Sequence, residues 1–154
     1  MILPSTPSQT IGPFFALALP WPDGPQAAPE AAVGRIHVWG HAYDGRGEPV
    51  ADALVETWQA DPAGCFVHPA ADVQTDQLRK RECGAFRDFA RSPTAEDGRF
   101  ELWTRKPGRV PGVDGRLQAP HVDVSVFARG LLQRLVTRIY FGDEPDANKD
   151  DPRP

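Results

Sequence analysis

The chain has 154 residues, 40% of them hydrophobic, and a net charge of −4. That is enough apolar material for one domain with a real core and too much for general disorder, while the acidic balance excludes a broad cationic surface for nucleic acid or anionic lipid. Proline (17) and glycine (14) make up about a fifth of the sequence, which argues against long helices and for short strands joined by many turns.

Residues 1–34 read as an extended N-terminal arm and linker. They hold seven prolines, and proline lacks the N–H that a central strand needs, so the segment is expected to be extended without joining a ladder. Within it, "TIGPFFALAL" is uncharged and greasy and needs a cover from its own domain or a partner. This apolar stretch does not read as a secretion signal: no basic residue precedes it, and Pro13 and Pro20 interrupt it. No apolar run reaches the roughly 18 residues of a membrane span. Cys65 and Cys83 match no metal spacing and are expected to be reduced thiols in a cytoplasmic protein, with a disulfide as the alternative.

From residue 35 the pattern alternates. "RIHVWGHAYD" (35–44), "ADALVETWQA" (51–60), "GAFRDFA" (84–90), "GRFELWT" (98–104), "HVDVSVFARG" (121–130) and "LQRLVTRIYF" (132–141) read as strands bounded by Gly, Pro or Asp. In the fifth, Val122, Val124 and Val126 share one face, and His121, Asp123, Ser125 and Phe127 the other. If that strand stays regular, Arg129 lies on the His121/Asp123 face. The segments 68–83 and 105–120 are long polar connections of the kind that often carry function. The tail from residue 143 to 154 is acidic and expected to be loose. Six strands with hardly any helix indicate an all-β fold, an antiparallel β-sandwich over 35–142.

"HVD" at 121–123 is the most suggestive short motif. His and Asp two apart on a strand point to one face, as a metal-binding facial triad requires, but the second histidine of such a triad has to come from far upstream. The plain alternative is a strand face turned to solvent or to a polar interface. Arg129 reads either as a solvated charge or as an anion clamp, because guanidinium matches carboxylate geometry. At Gly12-Pro13, glycine permits close backbone approach and proline fixes the path; a simple turn accounts for the pair equally well.

Taken together and in order, "TPSQTIGPFF", "VETWQADPAG", "APHVDVSVFARG" and "TRIYFGDE" resemble the intradiol ring-cleavage dioxygenase family, and within it the α-type chain of the two-chain members. The resemblance runs from about Thr6 to Glu144. It implies an antiparallel β-sandwich assembled with a beta subunit into a hetero-oligomer. It also implies Fe(III) held by two tyrosines and two histidines of the beta subunit, and O₂-dependent opening of protocatechuate to 3-carboxy-cis,cis-muconate. The catalytic chains carry a ligand tyrosine after a turn like "WQADPAG", where this sequence has Phe66, and a His-x-His pair where it reads His121-Val122-Asp123. The second ligand tyrosine belongs between those regions, and neither Tyr43 nor Tyr140 lies there. The resemblance thus implies that Phe66, His121 and Asp123 are vestigial ligand positions, with no metal and no catalytic residue in this chain. It places Gly12, Pro13 and Arg129 as the residues that complete the partner's substrate site. α-Type chains of the family continue beyond "YFGDEPDANKDDP", so a further segment is expected. A fragment, a truncated product and a sandwich completed by a partner all remain open. Two other readings stand beside this one: a self-sufficient metalloenzyme using His121 and Asp123, and a non-catalytic binding module on the same sandwich.

Overall fold

The structure is a computed structural model and describes residues 12, 14–66, 86–112 and 114–151. Its elements are α1 (Phe14–Ala18), β1 (Arg35–His41), β2 (Leu54–Trp58), β3 (Phe89–Pro93), β4 (Arg99–Arg105), β5 (His121–Phe127), β6 (Leu135–Tyr140) and α2 (Pro145–Lys149). Five of the six alternating stretches cover a strand closely, whereas the third, 84–90, overlaps β3 only at Phe89 and Ala90, the strand running on to Pro93. The strands form two antiparallel sheets, β1-β4 and β3-β2-β5-β6, which make an antiparallel β-sandwich. The β3–β4 connection passes from one sheet to the other through a turn closed by Gly98 N–H to Ala95 O at 2.9 Å.

The core follows from the alternation. Ala90 of β3, Leu102 of β4 and Val122 of β5 meet Phe86, Ala27 and Ala28, with Val38, Ile139 and Phe141 packed around them. The complementary face of the four-stranded sheet is polar and aromatic. It carries Phe89, Trp58, Asp123 and Arg138 as one cross-strand row, with His121 opposite Tyr140 beside it.

Two segments differ from their sequence reading. The proline-rich stretch before β1 is built into the sandwich. Trp103 N–H donates to Pro25 O at 2.8 Å, Ala28 N–H to Trp103 O at 2.9 Å, Arg87 N–H to Ala27 O at 2.8 Å and Arg91 N–H to Gly24 O at 2.8 Å. Pro25 is tolerated because only its carbonyl is needed there. Gly24 is required by contact, since a Cβ would sit 2.5 Å from the Arg91 carbonyl oxygen. Ala27 and Ala28 are fully buried, so they belong to the core and not to a linker. Upstream, Phe14–Ala18 is a single helical turn with Phe14 and Leu17 exposed.

The acidic tail is also docked. Pro145 opens α2 at a position where its missing N–H costs nothing, Asp146 sits in the first turn and Lys149 in the last. Asn148 Nδ2 donates to Phe141 O at 2.7 Å, and the Asp151 carboxylate accepts from Ala119 N–H at 2.7 Å. Among the described residues no helix is long and apolar enough to cross a membrane.

Candidate functional site

Phe66 is placed by the turn at the end of β2. The carboxylate of buried Asp61 accepts from Ala63 N–H at 2.9 Å and Cys65 N–H at 2.8 Å. Gly64 has φ 77, and a Cβ there would lie 2.5 Å from the Arg109 carbonyl oxygen, so the turn packs directly on the loop before β5. Phe66 then stacks on Trp58 with centroids 6.5 Å apart, and Trp58 contacts Phe89 at 6.0 Å. An aromatic wall therefore leads across the sheet to Asp123, the cross-strand neighbour of Trp58.

Register fixes the next contacts. Asp123 faces Arg138 on β6, and Arg138 Nε donates to Asp123 Oδ1 at 2.8 Å while Nη1 donates to Gln118 Oε1 at 2.9 Å. Asp151 Oδ1 approaches the same guanidinium at 4.0 Å, with its side chain only 1% exposed. His121 is buried. Its Nδ1 lies 2.7 Å from Ala119 O; a carbonyl can only accept, so Nδ1 carries the proton. Its Nε2 lies 3.6 Å from Asp123 Oδ2. Burial opposes ionisation of Asp123, but the His121 ring beside it and the hydrogen bond from Arg138 outweigh it and hold the carboxyl below its ordinary value. Burial likewise opposes the charge on Arg138, and bonds with Tyr140 and Asp123 more than offset it, raising the guanidinium further.

The upstream histidines do not join this group. His37 pairs with Glu101 at 3.1 Å and His41 with Asp97 at 3.7 Å, both on the outer face of the β1-β4 sheet. His68 and Pro13 lie outside the described residues, and Gly12 has a left-handed φ of 63. Among the described residues, no three His, Cys, Asp or Glu side chains come together as a metal site.

Arg129 is elsewhere. β5 ends at Phe127, and Arg129 follows in a turn closed by Leu131 N–H to Ala128 O at 3.2 Å. The strand that would carry it along the His121/Asp123 row has ended by then. Six strand steps of about 3.3 Å separate the ends of β5, so Arg129 stands roughly 20 Å or more from His121. Its Nε pairs with Asp52 Oδ2 at 3.0 Å, and both residues line a cavity of about 520 Å³ walled by Tyr43, Val50, Val126 and Leu135. Asp52, Arg138, Gln118 and Asp151 escape a sequence reading because each gains its role from register or from a distant segment. The alternation of β6 does at least place Arg138 and Tyr140 on one face.

Residues 24–152 match a family model described as Dioxygenase. The protocatechuate 3,4-dioxygenase alpha chain of Pseudomonas putida is 39% identical over 96% of this chain and 74% of its own length. The beta chain of the Burkholderia cepacia enzyme is 38% identical over 72% of this chain and 46% of its own. Among solved structures, the dioxygenase domain of a carbohydrate-binding fusion protein from Streptomyces sp. SirexAA-E superposes with a TM-score of 0.60 at 28% identity, over 96% of this chain and 83% of that one. Sequence identity over nearly the whole chain and the sandwich itself agree: this chain belongs to the intradiol ring-cleaving dioxygenases.

Proposed function

We propose that this chain is the α subunit of a protocatechuate 3,4-dioxygenase. In this reading it is cytoplasmic and holds no iron itself. It pairs with a beta subunit whose ferric site opens protocatechuate with O₂ to 3-carboxy-cis,cis-muconate. The family relies on non-haem iron, which activates the bound catechol towards O₂.

The observation that carries the reading is the occupation of the His121 end by protein charge. His121 keeps an imidazole at a ligand position, but its neighbours do not fit a ferric ion. Phe66 offers no oxygen, and Asp123 is already neutralised by the Arg138 guanidinium at 2.8 Å. A cation placed beside Asp123 would face Arg138 at short range, where like charges repel strongly. One imidazole alone is a poor site for hard, oxygen-preferring Fe(III).

Arg129 supports the other half of the reading. Its side chain is 71% exposed, which makes it available to a neighbouring subunit. With the arm at Gly12 and Pro13, it would complete the substrate site of the beta subunit, offering a guanidinium to the substrate carboxylate or to groups around the iron.

The test is co-expression with a beta chain that carries both tyrosines and the His-x-His pair. Ring-cleavage activity is expected only when the two chains are together. Turnover of protocatechuate by this chain alone would refute the proposal.

A further inference from the structure

We infer that Asp52 is the positioning residue for Arg129, and this rests on the role for Arg129 proposed above. The two partners are mounted very differently. Asp52 sits in the turn just before β2, and the residues on either side of it are tied down. Thr94 Oγ1 donates to Val50 O at 2.7 Å and accepts from Ala53 N–H at 3.0 Å, while Thr94 N–H donates to Ala53 O at 3.0 Å. Ala53 and Thr94 are both buried. Arg129 instead follows β5 in a turn whose Gly130 has φ 82. Asp52 is 20% exposed and Arg129 71%, so a recessed, fixed carboxylate holds an outward, otherwise adjustable guanidinium.

The point of attachment matters. Asp52 Oδ2 lies 3.0 Å from Arg129 Nε, and the Arg129 side chain is 71% exposed, so the guanidinium with its two terminal nitrogens is open to a further group. That pair forms a fork suited to a carboxylate or to two anionic oxygens. The ion pair therefore fixes the direction of the fork without filling it. A long side chain held in one orientation loses less freedom when it binds.

Charge and orientation predict effects of opposite sign. If Asp52 acted only by its charge, removing it would strengthen the pull of Arg129 on an anion. If it acts by positioning, removing it weakens the interaction despite the gain of positive charge.

The experiment is steady-state turnover of protocatechuate by the iron-loaded complex of this chain with its beta subunit, comparing Asp52→Asn, Asp52→Ser, Arg129→Leu and Asp52→Asn/Arg129→Leu. The expected result is a fall in kcat/KM of roughly 3- to 10-fold for both Asp52 variants. A larger fall is expected for Arg129→Leu, with no additional loss in the double variant because Asp52 acts through Arg129. Asp52→Glu, which restores the charge on a longer stem, is expected to recover part of the loss. Unchanged or improved kcat/KM in the Asp52 variants, with Arg129→Leu still impaired, would overturn the inference and leave the role of Arg129 standing. Additive losses in the double variant, or loss of assembly in both Asp52 variants, would also overturn it. Wild-type kinetics in Arg129→Leu would instead remove the reading on which it rests.

Discussion

The two ends of β5 carry the same kinds of group, an acid and an arginine in contact, and use them in opposite ways. At the His121 end, Arg138 is 17% exposed and is held by Asp123 and Gln118, with Asp151 close by. At the Arg129 end, one carboxylate lies against a guanidinium whose side chain is 71% exposed. A charge satisfied on several sides stabilises its own chain and has little left to offer a ligand. A charge satisfied on one side is inexpensive to keep exposed and remains available. The difference separates a structural lock from a presented group within one strand.

The largest expected effect comes from breaking the lock. Arg138→Met leaves Asp123 and the buried Asp151 without their shared cation. Breaking a buried pair typically costs 3–5 kcal/mol; with Asp123 partly solvated, about 2–4 kcal/mol is expected here. Denaturant unfolding of the assembled complex reads this directly, and a loss below about 0.5 kcal/mol would show that the network does not hold the tail and β6 together.

Trying to turn the lock back into a metal site should fail. Phe66→Tyr with Asp123→His restores two ligand types but leaves Arg138 beside the new histidine and supplies no second tyrosine. Ligands without their supporting shell rarely assemble a site. Metal analysis of the double variant is expected to show no additional iron over the wild-type complex, and a stoichiometric gain would contradict the comparison.

At the other end, Arg129→Leu is expected to lower kcat/KM by roughly 10- to 100-fold, corresponding to about 1.5–3 kcal/mol for a charged hydrogen bond. Iron content should be unaffected and folding stability should change by less than about 0.5 kcal/mol. A rise in KM alone would mean that Arg129 holds substrate equally in ground and transition states. A fall in kcat would mean that it acts as the reaction proceeds.

The smallest effect is one of pH. The Asp123 carboxyl is held below its ordinary value, so ionised Asp123 contributes stability that is fully present above the usual carboxylate range near pH 4 and is lost as pH falls through the depressed value. Acid titration of unfolding should therefore be shallower in Asp123→Asn below about pH 4. Identical acid limbs would assign the wild-type loss to other carboxylates.

What could be read in advance follows from how each part is encoded. Half-buried strands such as β1 and β5 write their pairing into side-chain alternation, and their positions were legible. The segment at 24–28 joins both sheets through backbone groups and buries small alanines, which leaves no periodic trace. Proline there suggested a linker when only its carbonyl was in use. The tail looked solvated because acids usually are, yet Asp151 is buried against Ala119 N–H. Phe66, His121 and Asp123 stood out in the sequence as a group. The reason that Asp123 is unavailable, Arg138 directly across β6, required the register.

This chain is proposed to complete an iron site without owning one. The direct measurement is the iron content of the purified two-chain complex, with the visible tyrosinate-to-iron absorption recorded alongside. About one iron per pair of chains is expected, with the absorption lost when the ligand tyrosines of the beta subunit are replaced and retained in Asp123→Asn of this chain. About two irons per pair, or stoichiometric iron on this chain without its partner, would contradict it.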